Sequence, residues 1–204
     1  MTGTQRTKLW SVSLAFLGGI AAAVGSEELL LHAQGTRVDF QAPRIHYLTG
    51  RPLDRMRNGQ QIAFDIQVSL AAGSQLNTIR QSTARFVISY DVWGDGEKRF
   101  HIAKILPDRK NAARLTATEA EAWCVKEMSM EVTGVANNQP LWAHMDIRAD
   151  KERERRLFGR DDITDEGISL NGLIEIFSKL PTTTQPHWSL DTGPVTLEQL
   201  RRGG

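Results

Sequence analysis

Gln60-Gln61-Ile62-Ala63-Phe64-Asp65-Ile66-Gln67-Val68-Ser69-Leu70 carries an apolar residue at every second position from Ile62 to Leu70. A period of two puts Ile62, Phe64, Ile66, Val68 and Leu70 on one face of a strand, and Ala63, Asp65, Gln67 and Ser69 on the other. Ala84–Val92 repeats the rhythm with Phe86, Ile88, Tyr90 and Val92, and a further strand is predicted over Lys98–Leu106. Gly94-Asp95-Gly96 between these two offers the positive φ angles of a tight hairpin. The polar stretch Ala71–Thr83 is long for a hairpin, so the first two strands are expected either in different sheets or around a loop.

Outward from this meander, Thr36–Leu48 reads as an earlier strand, with Pro43 marking an edge or a bulge. Leu53–Gly59 reads as one helical turn, and Pro107–Arg114 as a basic loop. Thr116-Ala117-Thr118-Glu119 matches a capping box, which predicts a helix from Ala117 to about Lys126. Met128–Val135 and Leu141–Arg148 are expected to pair with each other. Ser169 caps a second helix to Leu180, with Leu173, Ile176, Phe177 and Leu180 on one stripe. His187–Leu190 gives a last strand, and the tail beyond Gly193 is expected to be marginally ordered. The fold class is therefore mainly β: an antiparallel sandwich of about seven strands with two covering helices, preceded by an N-terminal hydrophobic helix. The domain reading is 1–35 as signal or anchor with connector, 36–193 as one β-rich body, and 194–204 as tail.

Arg6 and Lys8 precede an uncharged run from Leu9 to Ser26, whose apolar members include Leu9, Trp10, Leu14, Phe16, Leu17 and Ile20. A positive flank, an apolar stretch and small residues at Val24-Gly25-Ser26 are the pattern of a secretory signal. Left uncleaved, the same run would be a membrane anchor with its N-terminus inside and the body outside. Both readings place the body on the extracytoplasmic side of a bacterial membrane, periplasmic or membrane-anchored; a buried helix of a soluble protein is the remaining alternative.

Charge and chemistry narrow the function classes. Lys and Arg total 25 against 24 Asp and Glu in 204 residues, so no global field holds nucleic acid. The single cysteine, Cys124, excludes an intrachain disulfide and reads as a small core residue beside Trp123. His32, His46, His101, His144 and His187 lack metal-ligand spacing, although His101 and His144 could meet across a sheet. Asp161, Asp162, Asp165 and Glu166 lack calcium-loop order and suit the start of the following helix. No nucleophile motif or phosphate-binding glycine pattern is present. No catalytic, cofactor or metal site is expected.

Arg57-Asn58-Gly59 leading into Ile62-x-Phe64-x-Ile66-x-Val68, the strand Phe86-x-Ile88-x-Tyr90-Asp91-Val92, and Trp188-Ser189-Leu190-Asp191-Thr192-Gly193 together resemble an uncharacterised family of exported or membrane-anchored bacterial envelope proteins. The resemblance spans about residues 37–193 and implies an envelope location and a sandwich-like body, with no catalytic residue to carry over. The leading functional expectation is a non-catalytic adaptor or accessory subunit that binds an envelope or membrane protein partner. A carrier of a lipid or other apolar ligand between sandwich layers and an enzyme with an unrecognised site are the alternatives. Trp93 and Trp142 lie at or near strand ends and are the candidate partner-binding residues, with burial in the core beside Trp123 and Trp188 as the alternative.

Overall fold

The computed structural model describes residues 29–150 and 185–202, with Ile174, Phe177 and Ser178 between them. The alternating stretch becomes β3 (Ile62–Ala72), and it is central because both of its edges are paired. On one side runs β4 (Thr78–Tyr90), with Phe64 opposite Phe86 and Ile66 opposite Ala84. On the other runs β8 (Pro140–Ala149), with Ile66 opposite Ile147 and Val68 opposite Met145. Directly opposite residues share a face, so the apolar sets of the three strands merge into one surface. β5 (Phe100–Leu106) and then β6 (Lys110–Leu115) extend the sheet past β4, and β9 (His187–Thr196) extends it past β8. The result is a six-stranded antiparallel sheet in the order β6-β5-β4-β3-β8-β9.

A second, three-stranded antiparallel sheet contains β1 (Leu30–Gln34), β2 (Arg37–Gln41) and β7 (Met130–Glu131), in that order. Leu31, Val38 and Phe40 from this sheet share one buried cluster with Phe64, Ile66 and Phe86. The protein is thus mainly β, with two antiparallel sheets and nine described strands. Three helices have described bounds: α1 (Gly50–Arg57), α2 (Ala117–Lys126) and α3 (Leu197–Arg202). The capping box of α2 is present: Glu119 N–H donates to Thr116 Oγ1 at 3.2 Å, and Thr116 N–H donates to Glu119 Oε2 at 2.8 Å.

Several expectations are corrected. The stretch 71–83 is no loop between sheets, because Thr78–Thr83 continues β4 and a turn at Gly73–Asn77 closes the hairpin. Gly73 has φ of 75°, and Ala72 N–H donates to Asn77 O at 3.1 Å. Of the expected strand 36–48 only Arg37–Gln41 is strand, and it forms a hairpin around Gly35 with β1, which lies in the expected connector. The basic 107–114 stretch is not a loop throughout, since Lys110–Arg114 belong to edge strand β6. β7 pairs with β2 in the small sheet, leaving β8 to enter between β3 and β9. Residues after Gly193 complete β9 and form α3, held by buried Leu197 and by Arg201, which donates to Gly35 O at 2.9 Å. Of the helix expected over 169–180, Ile174, Phe177 and Ser178 are described, and all three are helical.

No helix among the described residues is long and apolar enough to cross a membrane. The apolar run containing Leu9, Trp10, Leu14, Phe16, Leu17 and Ile20 lies outside the described residues, as do the carboxylates at 161–166.

Phe64 has no solvent exposure and packs against Tyr47 and Trp188, with ring centroids 5.1 and 6.5 Å away. Phe64→Ala removes the ring from a site bounded by paired strands, where collapse is restricted. It is expected to cost about 3–5 kcal/mol in urea denaturation.

Candidate functional site

The β4–β5 connection begins at Asp91, whose N–H donates to Arg99 O at 2.8 Å. Its Oδ1 accepts the N–H groups of Trp93 and Gly94, both at 3.0 Å, which forms an Asx turn. A Cβ at Gly94 would lie 2.8 Å from Asp91 Oδ2, so glycine is needed for the carboxylate to fold back. Arg99 Nε donates to Gly96 O at 2.7 Å, and its guanidinium lies 5.7 Å from the Tyr90 ring centroid. This is a longer, internally bonded loop in place of the expected tight Gly-Asp-Gly hairpin, and of the two glycines only Gly96 has positive φ. It holds Trp93 at 94% exposure beside exposed Val92.

Trp142 is different. It is half-buried on β8, and β9 passes so close that a Cβ at Gly193 would lie 2.8 Å from Trp142 Cδ1 and 2.6 Å from Leu141 O. Trp142 pairs with Ala71 near the end of β3, while the Trp93 loop follows Tyr90, beyond the Ile62–Ile88 pair at its start. At about 3.3 Å per residue the two rings stand on the order of 30 Å apart along the sheet. The structure does not bring them to one surface. Trp188 is half-buried in the Tyr47–Phe64 aromatic group and Trp123 packs edge-on to Phe86, 6.0 Å between centroids.

The outer face of the six-stranded sheet carries charges where a solvated face usually carries scattered polar groups. Asp65 and Arg85 are cross-strand partners joined by two contacts of 2.7 Å, and both are buried. Burial pushes the Asp65 carboxyl up, against the pull of Arg85. Burial also works against the Arg85 charge, but Asp65 outweighs it and holds the guanidinium protonated. A bidentate contact this short is that of a charged pair. One strand over, Arg148 is buried under the Phe177 ring at 4.6 Å and lies 3.8 Å from Asp146. His144 completes the row, with Nδ1 2.7 Å from Asp191 and Nε2 3.5 Å from Asp146. Nothing in the sequence marked this row as a unit, because it depends on the register of four strands.

On the other side of the sheet, Glu121 of α2 is buried and accepts the Leu48 N–H at 2.7 Å. Its second oxygen lies 3.3 Å from Nδ1 of exposed His46. Burial pushes Glu121 up, opposed by these hydrogen bonds. Burial also raises the neighbouring Tyr47 hydroxyl well above its usual value. Cys124 is fully buried and its thiol is pushed up to about 12, so it is a thiol at neutral pH and out of reach of solvent. His101 and His144 do not meet, since β4 and β3 lie between their strands. His101 instead lines an open depression of about 260 Å³ with Val87, Ser89, Ala103 and Asn111. Among the described residues, no three His, Cys, Asp or Glu side chains are grouped to hold a metal ion.

No protein-family model, curated protein or solved structure matches this chain.

The His144 contacts generate a pH prediction. Hydrogen bonding to Asp146 first, and then to Asp191, raises the imidazole to about 9, against some desolvation. A raised folded value means the stabilisation is complete below the unfolded value of about 6.5 and is lost as pH climbs through about 9. An NMR titration should place the His144 midpoint near the upper value. His144→Asn should flatten the fall in melting temperature across that window.

Proposed function

We propose that this chain is a non-catalytic adaptor or accessory subunit on the extracytoplasmic side of a bacterial membrane, and that it engages a protein partner through the Trp93 loop. The observation that carries the reading is a tryptophan at 94% exposure on a loop fastened by its own hydrogen bonds. Interfaces draw most of their energy from a few aromatic anchors. An anchor already held in place loses less freedom when a partner covers it. The address comes from the sequence: Arg6 and Lys8 ahead of the Leu9–Ser26 run, and the resemblance to envelope proteins. The body is read as a sandwich, with the three-stranded sheet and α2 layered over the inner face of the larger sheet. Trp142 then serves to seat β9, and its part in partner binding is secondary.

The test is a pull-down from native membranes with the parent, Trp93→Ala and Trp142→Ala. Trp93→Ala should keep the parent's melting temperature, because the ring touches little, and should lose about 2 kcal/mol or more of partner affinity, roughly thirtyfold. Trp142→Ala should chiefly lower stability. A folded Trp93→Ala variant that recovers the same partners at the same affinity would end this reading. Co-purification of lipid, with no protein partner, would transfer the function to the carrier class. Mass spectrometry of the native protein distinguishes a cleaved signal from a retained anchor, and a full-length soluble cytoplasmic species would contradict the proposed address.

A further inference from the structure

The six-stranded sheet ends in two edges, and they are treated differently. β6 is blunted: its pairing with β5 shifts register between Phe100 and Ile102, Arg114 sits at φ 57°, and Lys110 flanks the other end. Bulges and cations are the usual means of keeping an edge from pairing. β9 has such protection only at its far end, where Gly193-Pro194 and a register shift against β8 interrupt it. From His187 to Thr192 it is regular and free of Lys and Pro, and no described strand pairs with its outer edge.

We infer that the His187–Thr192 edge of β9 pairs antiparallel with the same edge of a second copy of this chain, about a twofold axis midway between the two Ser189 residues. The backbone narrows the register. Groups on a strand edge alternate between pointing in and pointing out, so odd residues of one copy must meet odd residues of the other. Centring on Ser189 satisfies this and sets His187 opposite Asp191 of the second copy, twice by symmetry. It also sets Trp188 opposite Leu190. His187, Ser189 and Asp191 are exposed, and the Asp191 side chain keeps 77% of its area open. Its Oδ1 is engaged by its own His144, which leaves Oδ2 for the second copy's imidazole. Half-buried Trp188 would be covered along its open rim. The same operation on β6, centred on Ala112, would set Lys110 against Arg114 and repel.

The twofold axis stands perpendicular to the sheet, so the two sheets become one continuous sheet. The β1-bearing layers of both copies then face the same side, which lets both chains be tethered to a single membrane. This inference is independent of the Trp93 reading. A contact of so few residues falls at the small end of interface sizes, so the dimer is weak and concentration-dependent.

The experiment uses the full chain in mild detergent with Ser189→Cys. Cα atoms of directly opposed residues stand about 4.5–5.5 Å apart, within disulfide reach. Cys124 is buried and does not compete. Mild oxidation should give a covalent dimer with Ser189→Cys and much less with Thr192→Cys. Adding His187→Asp or Asp191→Lys to Ser189→Cys should slow cross-linking roughly tenfold in each case. An equimolar mixture of the two double variants should restore it. In the mixed dimer the aspartate introduced in one copy meets the lysine introduced in the other, and the second contact keeps its native His187 and Asp191. That restoration would not follow from damage to either fold. Ser189→Cys remaining monomeric, cross-linking no faster than Thr192→Cys, or a mixture that stays slow would overturn the inference.

Discussion

The structure depends on β3 having no free edge. A strand paired on both sides cannot slip by one residue without carrying Phe64 and Ile66 to the outer face and Asp65 and Gln67 into the core. Its register also determines where its neighbours place their side chains. Phe86, Ile88, Met145 and Ile147 face the core because they stand opposite residues of β3 or next to those that do. The Asp65–Arg85 pair reinforces the choice on the opposite face, since a one-residue slip would separate two buried charges.

The elements around the larger sheet are fastened by polar groups as well as by apolar packing. Glu121 gives the 46–48 segment a fixed acceptor, which seats Tyr47 against Phe64 and Trp188. Lys104, on a core-facing position opposite Phe86, is tolerated because Asp108 at 2.6 Å and Glu127 at 3.3 Å surround its ammonium. The Lys104 contacts also hold β5, one of the two strands that flank the loop carrying Trp93.

The sequence was most legible where one face of a strand is wholly apolar. Ile62–Leu70, Phe86–Tyr90 and Leu141–Ile147 declare themselves by alternation, and α2 by its capping box. β6 was hidden because Lys110-Asn111-Ala112-Ala113-Arg114 sits at an edge with little to bury, so pairing and not hydrophobicity makes it a strand. β7 is too short for any period to be seen, and its partner lies far away in sequence. Gly94-Asp95-Gly96 suggested a tight turn, but the Asp91 carboxylate, which alternation cannot register, organises a wider loop. A place near a strand end, which Trp93 and Trp142 share, did not tell the exposed ring from the half-buried one, because bulky residues occupy both faces of β8 near its start.

Arg201, in the last helix described, reaches the Gly35 carbonyl in the first hairpin, and β9 lies against β8 only after the whole 150–186 stretch has passed. A body synthesised from its N-terminal side therefore stays unfinished for almost its full length. β8 keeps a bare flank, and the first hairpin lacks its last clasp, until those final turns are released. Closure of the fold is therefore timed by its last-made segment, which flanks β8 and clasps the first hairpin together.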